Sequence, residues 1–83
     1  GINDLLLDAS LQMYPNPAKE TVNIEWDASL EVEKVIVMNL AGQTIKSLSP
    51  DEAKVQINGL SAGAYLVRIE AAAASKTLRL IVE

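Results

Sequence analysis

The sequence predicts an all-β fold, a sandwich of about seven short antiparallel strands. Three observations carry the prediction. Apolar residues recur with period two, as in Val22, Ile24 and Trp26 or Tyr65, Val67 and Ile69, the pattern of a strand buried on one face. Turn-forming clusters interrupt these runs at intervals of roughly 8–12 residues. Leu60-Ser61-Ala62-Gly63-Ala64-Tyr65 then sets a leucine and a tight turn before a tyrosine that opens a strand. That is the pattern of the tyrosine corner of immunoglobulin-like sandwiches, where the hydroxyl bonds back to nearby backbone and the ring packs inward.

The elements follow in order. Residues 1–10 form a lead-in, because Leu5, Leu6 and Leu7 between Asp4 and Asp8 are too few for a stable isolated helix. Leu11 to Tyr14 make a short first strand, and Val22, Ile24 and Trp26 mark the second. Val35-Ile36-Val37-Met38 is continuously apolar, which predicts a central strand covered on both faces. Ile45 and Leu48 belong to a shorter strand after Gly42. Val55 and Ile57 alternate with Lys54, Gln56 and Asn58, Tyr65 to Ile69 alternate with Arg68 and Glu70, and Leu78, Leu80 and Val82 alternate with Thr77, Arg79 and Glu83. Pro15-Asn16-Pro17, Asp27-Ala28-Ser29, Ala41-Gly42-Gln43, Ser49-Pro50-Asp51, Asn58-Gly59 and Ser61-Ala62-Gly63 supply the turns. Ala71 to Ala74 favour helix but amount to a single turn, so they are assigned to a hairpin loop between the last two strands.

Composition narrows the function. The chain has 83 residues, so it holds one small domain. It contains no Cys and no His. A disulfide, a thiolate nucleophile, a cysteine zinc site and the usual general base near neutral pH are therefore absent. A net charge of −4 with seven basic residues does not suit nucleic acid, whose phosphates must be neutralised by Lys and Arg. No apolar run approaches the roughly 18 residues of a membrane span. Gly1-Ile2-Asn3-Asp4 has neither the basic region nor the long apolar stretch of a signal peptide. No cofactor or metal is expected, and a binding, structural or targeting module is favoured over an enzyme.

The local motifs have structural readings. In Tyr14-Pro15-Asn16-Pro17 the prolines fix φ and remove two backbone donors, so strand pairing stops there and a sheet edge is protected. Asn39 is placed to close an Asx-turn, with Gly42 at a positive-φ position of the same hairpin. Glu31 and Glu33, two apart, and Asp51 with Glu52 in a turn, lack the density of oxygens that Ca²⁺ requires and are assigned to solvated surface. Trp26 shares the face of Val22 and Ile24 and is assigned to the core, with sugar stacking the alternative if it is exposed.

Taken in order, these motifs resemble a known family. Tyr14-Pro15-Asn16-Pro17-Ala18 is followed by Val22-Asn23-Ile24, by Val35 to Gln43, by Val55-Gln56-Ile57-Asn58-Gly59-Leu60, by Ala62-Gly63-Ala64-Tyr65 running on to Ile69, and by Lys76 to Val82. Over roughly residues 11–83 the chain is similar to the C-terminal sorting domain of proteins exported by the type IX secretion system of Bacteroidetes, also called the Por secretion system C-terminal signal domain. Two positions depart from the family pattern. Ser61 stands where a proline is common, and Asn39 where the turn often carries Asp. The chain stops at Glu83, directly after its last strand, as expected of a domain that closes its parent protein.

The resemblance implies an immunoglobulin-like β-sandwich that acts as a label. The parent cargo, attached on the N-terminal side, reaches the periplasm by a separate signal. The domain is then recognised by the type IX outer-membrane translocon and its shuttle proteins. A cysteine-protease-type sortase cuts ahead of the domain, within or near the lead-in, and the cargo is joined to anionic lipopolysaccharide or released. The domain would thus pass from the periplasm to the outer-membrane surface or the medium. Pro15, Asn16, Pro17, Gly42, Gly63, Tyr65, Lys76, Leu78, Arg79, Leu80 and Val82 are the residues the resemblance marks for motif or recognition. Lys76 is expected to be an exposed charge of little weight in stability. The competing reading is an extracellular fibronectin-like or carbohydrate-binding sandwich module, since fold does not decide function. A third is a passive domain that self-associates weakly through open strand edges.

Overall fold

The computed structural model describes residues 11–72 and 75–83. Its seven strands are β1 (Gln12–Tyr14), β2 (Thr21–Glu25), β3 (Val32–Asn39), β4 (Thr44–Leu48), β5 (Lys54–Asn58), β6 (Gly63–Ala71) and β7 (Ser75–Val82). They form two antiparallel sheets, one ordered β1-β2-β5 and the other β4-β3-β6-β7. The seven-strand sandwich predicted by the alternation is the fold observed. The reading of residues 1–10 as a lead-in lies outside the described residues.

Register shows why the alternation forms a core. Met13, Ile24 and Val55 lie opposite one another in the first sheet, as do Val22 and Ile57. In the second sheet Val35 faces Ile69, Val37 faces Val67, Tyr65 faces Leu80 and Gly63 faces Val82. Directly opposed residues share a face, so each sheet presents one apolar surface to the other. Val22, Ile24, Val35, Val37, Val67, Ile69 and Leu80 are wholly buried, and Trp26 closes one end of the core at 7% exposure. No polar or charged residue is buried among the described residues, so no desolvation penalty offsets this burial.

The turns match their residues. Asn39 Oδ1 accepts the amides of Ala41 and Gln43, each at 3.0 Å, which is the expected Asx-turn. Asn39 Nδ2 also donates to Gln43 Oε1 at 2.8 Å. An Asp here could accept but not make this last bond, so the departure from the family pattern adds a contact. Gly42 follows with φ of 88°, a conformation that costs a residue bearing Cβ about 1 kcal/mol or more. In the next turn, Asp27 accepts the Ser29 amide at 2.8 Å, a bond that holds its carboxyl below the usual range.

The tyrosine corner is present. Tyr65 Oη donates to the Ser61 carbonyl at 2.6 Å, and the ring is 9% exposed. The acceptor is backbone, so Ser61 in place of proline leaves the bond intact. Glu70 pairs with Ser75 across the last hairpin. Of the predicted Ala71–Ala74 loop, however, Ala71 still belongs to β6 and pairs with Val32, while residues 73 and 74 lie outside the described residues.

One expectation fails. β3 is central in its sheet, as predicted, but it is not covered on both faces. Val35 and Val37 are buried, whereas Ile36 and Met38 are half-buried on the outer face, over which no other described element packs. A continuously apolar run signals burial on two sides only when a second layer exists, and none lies there among the described residues.

Tyr65→Phe keeps the ring and removes the corner bond. Urea unfolding is expected to show a loss of about 1 kcal/mol. Unchanged stability would mean that the corner bond contributes nothing to the fold.

Candidate functional site

The segment after β1 cannot continue as an ordinary strand, because Pro15 and Pro17 have no N–H to offer. Both of their preceding peptide bonds are cis. The segment turns instead onto the free edge of β7. Asn16 Nδ2 donates to the Arg79 carbonyl at 3.0 Å, and the Ile81 amide donates to Asn16 Oδ1 at 3.1 Å. A primary amide carries the same donor and acceptor as a peptide group, so the Asn16 side chain replaces one rung of a missing strand. Two residues on, backbone takes over. The Ala18 amide donates to the Ile81 carbonyl at 2.8 Å, and the Glu83 amide to the Ala18 carbonyl at 2.7 Å. Ala18 is 2% exposed, so its methyl group ends in the core.

These bonds show which backbone groups β7 turns outward. Both polar groups of Ile81 face the clasp, and by the period of two in a strand those of Thr77 and Ser75 point the same way. Asn16 and Ala18 cover the edge from Arg79 to Glu83. From Ser75 to Leu78 no strand pairs with it among the described residues. β7 therefore has one sealed half and one open half.

The sequence-marked residues divide accordingly. Pro15, Asn16 and Pro17 form the clasp, and Arg79 lies under it with an exposed side chain. Gly63 pairs with Val82 and Tyr65 with Leu80, so these residues join the clasp to the corner. Leu78, Leu80 and Val82 face the core. Gly42 belongs to the β3–β4 turn and takes no part. Lys76 corrects the sequence expectation, since it is half-buried and opposite Ile69, on the strand face of Leu78 and Leu80. Its side chain is partly covered, so its substitution affects stability as well as charge. Ala18 and Ile81 were quoted in the motifs without a role, and no local pattern could have paired them.

Elsewhere the surface is chemically quiet. The outer face of the first sheet carries Tyr14, Asn23, Glu25 and Gln56, which bond to one another. Tyr14 Oη donates to Glu25 Oε2 at 2.6 Å, and Gln56 Nε2 to Asn23 Oδ1 at 3.2 Å. The Glu25 carboxylate, through that bond, raises the Tyr14 phenol above its ordinary range. Glu31, Glu33, Asp51 and Glu52 are exposed, and no acidic cluster able to hold a metal occurs among the described residues. Of the three aromatic residues, Trp26 and Tyr65 are in the core and Tyr14 alone is exposed.

Comparison with known proteins follows this geometry. A family model described as a secretion system C-terminal sorting domain matches residues 12–83. Among solved structures, the chain is similar to part of PorZ, an essential bacterial surface component of the type-IX secretion system of Porphyromonas gingivalis. The TM-score is 0.74 at 22% identity, over 94% of this chain and 12% of that chain. The chain spans about an eighth of that protein's length, and at this identity the likeness is one of fold. No curated protein matches.

Asn16→Ala removes the rung but leaves the prolines and Ala18. It is expected to lower stability by about 1–2 kcal/mol and to speed hydrogen exchange at the Ile81 amide more than at the Val67 amide. Equal protection of Ile81 in the variant and the parent would show that the clasp does not hold the edge.

Proposed function

The chain belongs to the secretion system C-terminal sorting domain family, and on that premise we propose that it is a type IX export label, acted upon by other proteins and performing no chemistry of its own. The observation that carries the reading is the family match over residues 12–83, nearly the whole described domain. The cargo on its N-terminal side enters the periplasm separately. The folded domain then presents itself to the outer-membrane translocon and shuttle proteins, and a cysteine-protease-type sortase cuts within residues 1–10. The cargo finishes on the outer-membrane surface or in the medium.

The open half of β7 is the part of the edge best suited to recognition. Outward N–H and C=O groups at Ser75 and Thr77 accept an added strand from a partner, with main-chain bonds supplying affinity. The sealed half restricts that addition to one register. The exposed side chains of Ser75, Thr77 and Arg79 lie beside the open groups and supply side-chain discrimination. The carbohydrate-binding reading has no comparable support, because its aromatic platform would need Trp26 or Tyr65 at the surface.

A reporter carrying residues 1–83 at its C-terminus tests the reading in a type IX-competent strain and in a secretion-null strain. Appearance in the medium or on the surface of the first alone is expected. Equal export from both would sink it. Thr77→Pro tests the edge. Its N–H points away from β6, so the ladder survives, while strand addition loses a donor. Export is expected to fall about tenfold, the equivalent of roughly 1.4 kcal/mol, with the melting temperature lowered by a few degrees at most. Parental export of this variant would place recognition elsewhere.

A further inference from the structure

The sandwich has two open sides. On one, the clasp joins the end of β1 to β7. On the other stand β4 and β5, each paired with a neighbour on one side only among the described residues. The two edges differ. β4 is broken by the extra residue Ile45, since Val37 pairs with Lys46 but Met38 with Thr44, and a bulge turns an edge away from further pairing. Lys46 opposes Val37, which is buried, so its side chain leaves from the inner face. Its ammonium crosses to the other sheet and donates to the Asn58 carbonyl at 2.5 Å. An inward-pointing charge on an edge strand blocks the addition of another strand.

β5 carries neither device. Its five residues, Lys54 to Asn58, pair with β2 without a register shift. The Trp26 amide extends that ladder by donating to the Ala53 carbonyl at 3.0 Å. Counting on by two, Val55 and Ile57 turn their polar groups to β2, and Lys54, Gln56 and Asn58 turn theirs to the open edge. The Lys46 bond to the Asn58 carbonyl fits that parity. A regular edge with no proline, no bulge and no inward charge is a template for another strand.

The order of residues in β5 says which strand fits. An antiparallel copy, related by a two-fold axis through Gln56, sets Gln56 against Gln56, Lys54 against Asn58 and Val55 against Ile57. Every edge-facing residue then meets an edge-facing residue, so the N–H and C=O groups of the new ladder match. The Asn58 carbonyl keeps a second lone pair for the Lys54 amide of the other copy. On the inner face Val55, half-buried in the single chain, is covered by Ile57 of the second copy. On the outer face no like charges are directly opposed. At each end of the ladder Lys46 and Lys54 stand with Glu25, which opposes Lys54 in β2, and with Glu52, two residues before it, so the charges balance. We propose that the free edge of β5 pairs with β5 of a second copy of this chain, joining two three-stranded sheets into one of six. Such a contact is isologous and closes on itself. β5 and β7 stand on opposite sides of the sandwich, so both clasps and both open halves of β7 remain accessible in the pair. Pairing of this kind is independent of the sorting reading.

A ladder of five residues is smaller than a stable interface, so the expected dissociation constant is on the order of 0.1 mM. Sedimentation velocity of the whole chain at concentrations up to about 1 mM covers that range. Gln56 is exposed, so Gln56→Glu and Gln56→Lys are expected to melt close to the parent. Each variant sets like charges directly opposite one another in its own pair and is expected to stay monomeric where the parent dimerises. An equimolar mixture of the two sets opposite charges there and is expected to dimerise again. Gln56→Pro removes an edge-facing donor while sparing the β2 ladder and is expected to weaken pairing by about tenfold or more. A parent that stays monomeric throughout, a mixture that stays monomeric, or parental pairing by any of the three variants alone overturns the inference.

Discussion

β6 is hydrogen-bonded on both sides, to β3 and to β7, and it carries Tyr65, Val67 and Ile69 into the core. A slip of one residue in its register would turn all three to solvent and bring Leu66 and Arg68 inside. The Tyr65 hydroxyl on the Ser61 carbonyl guards against that slip by fixing where the strand begins. Everything placed by β6 inherits the register. β7 aligns on it, so Arg79 and Ile81 come to the Asn16 amide. β3 aligns on its other side, and so Met38 and Leu66 meet on the outer face.

Local chemistry made most of this legible in the sequence. Alternation marked the buried faces of β2, β5, β6 and β7, and Asn39, Gly42 and Tyr65 announced their turns through bonds within four residues. What could not be seen depends on layers or on distance along the chain. Asn16 meets β7 across more than sixty residues, and nothing in Pro-Asn-Pro says that its amide imitates a peptide group. Val35 to Met38 predicted burial on two sides because apolar sequence cannot tell a face beneath a covering layer from one left on the outside of the sheet. Lys76 looked like a solvated charge, whereas its parity with Leu78 and Leu80 puts its stem on the core side.

The two halves of the β7 edge answer opposing demands. A long exposed edge invites unspecific pairing with other chains, yet a label must stay accessible to its reader. Sealing Arg79 to Glu83 with a segment whose prolines lack N–H groups shortens the exposed length to the stretch from Ser75 to Leu78. The open remainder is too short to pair firmly with an arbitrary strand.

The clasp has a mechanical consequence. Ala18 and Val82 form a parallel bridge, so the stretch from Asn16 to Ala18 and the end of β7 run in the same direction. A pull between the cargo side of Leu11 and the last residue slides these two stretches past each other. Their hydrogen bonds then bear the load together, in shear, instead of opening one after another like a zipper. A domain drawn by its ends therefore loads the clasp in shear, in series with the pairing of β1 on β2 that lies between Leu11 and Asn16.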